Sequence, residues 1–217
     1  MAHLGTEEYR RAAIALAASL RQSRHHGVIV SAATRGEGTT SAAVHLARLM
    51  LSEAGLNPVL IELNRLRPTF QKLFGLNPKL SLTKMLAQGG SALDFVQRDP
   101  TGLAVITAGV PGEDLPENSE AGGMSLESGL CHAVQELQNN FDFVLLDAPP
   151  ILESADVLLA GRVIPQLLLV VGAGRVSQEN LSRACQQLQD AKIQLAGTIL
   201  NSRKRFLPRW VERLLNN

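Results

Sequence analysis

The sequence predicts an α/β domain: a mostly parallel central sheet flanked by helices. Three observations lead there. Short apolar runs recur at 28–32, 58–62, 103–108, 141–147, 166–171 and 194–200, and helical stretches separate most of them. The first run feeds a glycine turn, Gly36-Glu37-Gly38, that opens directly into a helix. Strands covered on both faces are apolar along their whole length, and alternation with helices gives parallel pairing. In such a sheet ligands sit beyond the carboxyl ends of the strands. The glycine turn and Asp147 both fall at that end.

Taken in order, residues 6–22 predict a helix, with Thr6 as N-cap and Glu7 and Glu8 in the first turn, where the helix dipole favours acids. The stretch 24–27 breaks it, and the strand 28–32 follows. A helix over 40–54 leads to the strand 58–62. After the strand 103–108, segment 109–124 is rich in Gly, Pro, Asp, Glu and Asn and predicts a surface loop. Helices at 125–139, 154–160 and 177–191 alternate with the strands 141–147, 166–171 and 194–200. No internal repeat and no second domain are apparent, so residues 1–217 are expected to form a single domain. Its N-terminal helix lies within 1–26, and 203–217 is a basic amphipathic segment.

Composition sets the outer bounds. The chain has 217 residues, 45% of them hydrophobic and 19% charged, which is enough to build a real core. A net charge of +1 argues against a whole-surface nucleic-acid binder, and no nucleic-acid partner is expected. Cys131 and Cys185 stand apart without metal-ligand spacing, so they are expected as reduced core thiols. His3, His25, His26, His45 and His132 form no metal spacing either. No secretory signal opens the chain, and no apolar run reaches the roughly 18 residues of a membrane span. The expected location is the cytoplasm, or the inner face of the cell membrane.

The chemistry concentrates in the glycine turn. Val28 to Thr40 is an apolar strand, a turn and a helix start, the setting in which backbone amides surround phosphate oxygens. Gly36 and Gly38 let the backbone approach a pyrophosphate, while Ala42 and Ala43 allow close packing below. The expected nucleotide contacts are Arg35, Gly36, Glu37, Gly38, Thr39, Thr40 and Ser41. In the standard phosphate loop the position of Thr39 is a lysine, followed by a hydroxyl on Mg²⁺. Here the hydroxyl remains as Thr40 and the lysine is absent. The apolar strand Val144-Leu145-Leu146 ends at Asp147, which suits a carboxylate holding Mg²⁺. Thr40 and Asp147 are therefore the candidate metal ligands, and ATP or ADP with Mg²⁺ is the candidate cofactor, weakly bound.

These motifs together resemble the cytoplasmic domain of the bacterial tyrosine kinases (BY-kinases) of capsule and exopolysaccharide synthesis, within the MinD/ParA-like P-loop class. That family has a loop SAxPGEGK[ST], a second motif LLIDxDxRxP, an LFGL-like segment, a strand YDxVIIDTPP and a late strand ending in LN. The matching stretches here are Ser31–Thr40, Leu60–Pro68, Leu73–Leu76, Phe141–Pro150 and Gly197–Asn201, in family order. The resemblance implies a catalytic role for Glu62 and Asp147 and places Asn201 near the base. It also implies a membrane-embedded polysaccharide co-polymerase or transport partner.

The departures from the family pattern fall on the same site. The lysine is Thr39, and the two aspartates of the second motif are Glu62 and Asn64. A lysine about 3.5 Å from a phosphate oxygen supplies roughly 4–5 kcal/mol of raw attraction at an effective dielectric near 20. Displacing a carboxylate by about 1 Å can cost on the order of 100-fold in rate. Three changes at one site predict lost phosphoryl transfer, and so an accessory or regulatory protein of polysaccharide assembly. Two alternatives stay open: an active tyrosine kinase or slow ATPase using Arg35 and Glu62, and a MinD/ParA-type membrane-associated positioning ATPase. The family's oligomerisation motif ExxRxxR is half present, as Glu7 and Arg10 followed by Ala13, which leaves a homo-oligomer open. No cluster matching the kinases' tyrosine-rich tail occurs in these 217 residues, and Tyr9, the one tyrosine, is expected to be a packing residue.

Residues 203–217 carry a separate signal. From Pro208, Trp210, Val211, Leu214 and Leu215 share one helical face, with Arg209, Glu212 and Arg213 opposite. Such a helix suits either peripheral contact with anionic lipid or docking on the domain's own core.

Overall fold

An unbroken apolar run holds as a strand only where both faces are covered, and the first strand is buried at every position. In the computed structural model, which describes residues 6–21, 26–110 and 124–201, that strand lies inside the sheet. The chain runs α1 (Thr6–Arg21), β1 (Gly27–Ala32), α2 (Thr39–Ser52), β2 (Pro58–Glu62), α3 (Phe70–Phe74) and α4 (Leu82–Gln88). A 3₁₀ turn at Ala92–Phe95 precedes β3 (Gln97–Arg98) and β4 (Ala104–Ile106). Then come α5 (Leu126–Gln138), β5 (Phe143–Asp147), α6 (Asp156–Val163), β6 (Gln166–Gly172), α7 (Gln178–Asp190) and β7 (Gln194–Asn201). The expectations for 203–217 and for most of 109–124 concern residues outside those described.

The sheet has seven strands in the order β3-β4-β2-β5-β1-β6-β7. All neighbours are parallel except β3, which pairs antiparallel with β4. The predicted parallel α/β architecture is therefore the observed one. Alternate residues of each strand feed opposite faces. Ile29, Ile61 and Leu146 pack with α4, α5, α6 and α7. Val28, Val30, Leu60 and Leu145 pack on the other side against α1, α2 and α3. Serines at 81, 125 and 177 cap α4, α5 and α7, each accepting a hydrogen bond from the amide three residues on.

Two features differ from the expectation. The stretch 69–98 holds α3, α4, the 3₁₀ turn and β3, none long enough to show a periodic pattern in the sequence. At the sheet edge β7 leaves Leu195 and Leu200 exposed, since an edge strand is not covered on both faces. Tyr9 is a packing residue as expected: it is buried and stacks on His45 of α2, 5.3 Å between ring centroids. Burial raises the pKa of its phenol.

This arrangement places the ends of β1, β2 and β5 side by side. Val30 is level with Asp147, and Asp147 is level with Glu62. The turn leaving β1 and the carboxylates closing β2 and β5 thus meet at one edge.

Candidate functional site

The turn between β1 and α2 is held from inside the protein. Glu37 points inward and is buried. One of its carboxylate oxygens accepts from the Thr34 amide (2.7 Å) and hydroxyl (3.0 Å), and the other from the Gly172 amide (2.8 Å). The Asn201 side-chain amide donates to the Glu37 carbonyl at 2.8 Å, and the Arg175 guanidinium donates to the Gly36 carbonyl. A buried carboxylate is tolerable only when hydrogen-bonded, and here its partners are the loop itself and the end of β6. Gly38 has φ 95°, and a Cβ there would lie 2.1 Å from Asn201 Nδ2. Only glycine permits both that backbone conformation and that contact. Helix α2 starts at the next residue, so its free amides face the turn.

Below the turn, the Thr40 hydroxyl donates to Asp147 Oδ2 at 2.8 Å. Burial pushes the Asp147 carboxyl up to about 8, against the Thr40 hydrogen bond and helped by the nearby charge of Glu62. A hydroxyl and a carboxylate at a helix start form an oxygen donor set that suits Mg²⁺. Glu62 is placed differently. One of its oxygens accepts from the Thr69 amide, the Thr69 hydroxyl (3.1 Å) and the Phe70 amide (3.0 Å), and the other from the Ala108 amide (3.0 Å). Burial raises its pKa, while these donors work in the opposite direction. Its carboxylate thus closes the start of α3 and ties that helix to the end of the β4 segment.

A cavity of about 220 Å³ opens over the turn. Of the sequence-predicted residues, Arg35, Gly36, Gly38, Thr39, Thr40 and Ser41 line it. Asp147 and Glu62 are buried outside the lining, as are Glu37 and Asn201, whose side chains hold the loop rather than face the cavity. The rest of the lining comes from Pro149, Pro150, Glu153 and Ser154 after β5, beside the loop, and from Asn64, Leu66 and Arg67 after β2, the strand on the far side of β5 from β1. The sequence pointed to the β2 part of that lining only through Asn64, which takes an aspartate position of the second family motif; the motif's arginine position falls on Leu66, and Arg67 occupies the variable position after it. Nothing marked Glu153. It pairs with Arg35, accepting from the guanidinium at 2.7 Å and from the Arg35 amide at 3.2 Å. Arg35, which the slow-ATPase alternative needs as a substitute for the lysine, is half-exposed and has its charge engaged by a carboxylate 118 residues on.

Comparison with known proteins agrees with this geometry. No family model matches the chain. It is 30% identical over 205 residues to the tyrosine-protein kinase YwqD of Bacillus subtilis, covering 93% of this chain and 82% of that one. A relative from Klebsiella pneumoniae, assigned as a tyrosine-protein kinase in the cps region, is 24% identical over 202 residues. The match covers 92% of this chain but only 27% of that longer protein. Among solved structures, the kinase domain of the Escherichia coli tyrosine kinase ETK superposes with a TM-score of 0.81 at 23% identity, covering 94% of this chain and 77% of that one. Cobyrinic acid a,c-diamide synthase of Mycobacterium smegmatis, solved with ADP and magnesium, gives a TM-score of 0.70 at 17% identity, covering 88% and 80%. Among the described residues no helix is long and apolar enough to cross a membrane.

Proposed function

The chain belongs to the bacterial tyrosine-protein kinase family, and from that premise we propose that it is a catalytically impaired member which holds a nucleotide without transferring its phosphoryl group. The observation that carries this is the state of Glu62. A carboxylate that served the reaction would need an oxygen free toward the cavity, and both oxygens of Glu62 are taken by four donors. Thr39 brings no cation where the phosphate loop carries lysine, and the Arg35 charge is already engaged by Glu153. Those groups supply transition-state stabilisation in phosphoryl transfer.

What remains favours binding. The helix start offers amides to phosphate oxygens, and Gly36 and Gly38 allow close approach. Thr40 and Asp147 would hold Mg²⁺, which bridges phosphate oxygens and neutralises their charge. Asn64 and Ser41 add neutral polar groups to the wall. In the cell, such a protein would act as an accessory or regulator in exopolysaccharide or capsule assembly, beside a membrane-embedded co-polymerase. Family membership supports that role.

The test uses the purified full chain. Calorimetric titration with Mg·ATP and Mg·ADP is expected to show binding, with no multiple-turnover hydrolysis and no phosphotyrosine on the chain or on a tyrosine copolymer. Thr39→Lys is expected to tighten Mg·ATP by about tenfold or more without restoring turnover, since one charge–phosphate contact is worth more than about 1 kcal/mol. Rapid ATP turnover by the unaltered protein would overturn the proposal.

A further inference from the structure

The cavity is lined by three charged residues among those described: Arg35, Arg67 and Glu153. Two of them cancel. Arg35 and Glu153 form an ion pair at 2.7 Å, reinforced by the Arg35 amide. Arg67 is exposed, and its guanidinium has no ion-pair partner among the described residues. The cation in surplus therefore sits on the loop after β2, and not on the phosphate loop.

That loop is positioned rather than loose. The Arg67 amide donates to Asn64 Oδ1 at 3.3 Å, which turns the chain back on itself. Arg65 pairs with Asp156 of α6 at 3.2 Å and anchors the segment from the other side. The start of α3 is in turn fixed by Glu62. Arg67 thus projects from a segment tied at both ends, into a cavity that the phosphate loop also lines. A planar guanidinium in that place suits bidentate contact with phosphate oxygens.

We propose that Arg67 supplies the cationic contact to the ligand's phosphate chain that Thr39 does not, so that charge recognition has moved from the phosphate loop to the loop after β2. The inference rests on the nucleotide-binding function proposed above and names the residue that sets its affinity for anionic ligands. The loop amides are common to every variant at this position, whereas a solvent-facing cation adds its own salt-screened attraction. Affinity in this protein is therefore salt-dependent through Arg67.

Calorimetry of the full chain with Mg·ATP, at low and at moderate salt, tests it. Arg67→Ala is expected to weaken binding about tenfold or more and to flatten the salt dependence. Arg67→Lys should recover part of the loss, and Thr39→Lys placed in the Arg67→Ala background should restore most of it, because the two cations serve the same ligand. Arg67 is exposed, so matching thermal unfolding curves will show that each variant folds. If the unaltered protein binds Mg·ATP and Arg67→Ala binds it equally well, the inference about Arg67 fails and the nucleotide function stands. If the unaltered protein binds neither Mg·ATP nor Mg·ADP, the nucleotide function itself fails, and this inference with it.

Discussion

Glu62 shows how a residue's partners decide its role. In the sequence it is a carboxylate closing a strand, the same chemical signature as Asp147. In the fold the two diverge. Asp147 accepts from the Thr40 hydroxyl, while Glu62 is surrounded by N–H and O–H donors. Replacing it by glutamine would turn an amide NH₂ toward at least one of those donors. Leaving a buried donor unpaired costs about 1–3 kcal/mol, so Glu62→Gln is expected to lower unfolding free energy by about 2–3 kcal/mol in urea titrations. An unchanged unfolding free energy would show that the Glu62 carboxylate does not hold these donors. The resemblance that named Glu62 could not show these partners, because Thr69, Phe70 and Ala108 converge on it only in three dimensions. For Thr39 the residue alone was enough, since a missing charge needs no fold to be noticed.

At the scale of the element, the turn 33–38 depends on what grips it from below. Its internal bond from Thr34 to Glu37 is local and was within reach of sequence patterning. The grips from Gly172, Arg175 and Asn201 come from the end of β6, the turn after it and the end of β7, more than 130 residues away, and were not. Gly38→Ala tests the tightest of them. A positive φ costs a non-glycine residue roughly 1–2 kcal/mol, and the added Cβ would displace the Asn201 amide from the Glu37 carbonyl. We expect a loss of about 2–3 kcal/mol of stability, counting the forfeited hydrogen bond at about 1 kcal/mol. Asn201→Ala alone should cost about 1 kcal/mol, and the double variant less than the sum, because the clash is then gone. Strictly additive losses would show that the two residues are not in contact.

For the whole molecule, acid–base balance sets the stability optimum. The Asp147 carboxyl stands at about 8 in the folded state against an ordinary value of 3.8. Between those values the folded chain keeps a proton that the unfolded chain has released, so stability falls as pH rises through that window. Asp99 acts oppositely. Burial works against it, but hydrogen bonds from Thr101, Arg48 and Leu103 prevail and lower its pKa, so its contribution is lost as pH drops into the acid range. Thermal midpoints are accordingly expected to peak near the ordinary carboxylate range and to decline toward pH 8. Asp147→Asn should flatten that decline; an unchanged profile would show that Asp147 does not carry it. The global architecture was legible beforehand because strands buried on both faces announce themselves as apolar runs. The short pieces between 69 and 98 were not, since their form follows from docking onto the sheet rather than from any repeat of their own.

The grip of Asn201 on the Glu37 carbonyl has a mechanical side. Asn201 is the final residue of β7, and its own carbonyl accepts from the Ala173 amide just past β6. Any displacement of that strand end would therefore reach the glycine turn through the Asn201 side-chain amide, which makes the edge of the sheet a handle on the loop's shape.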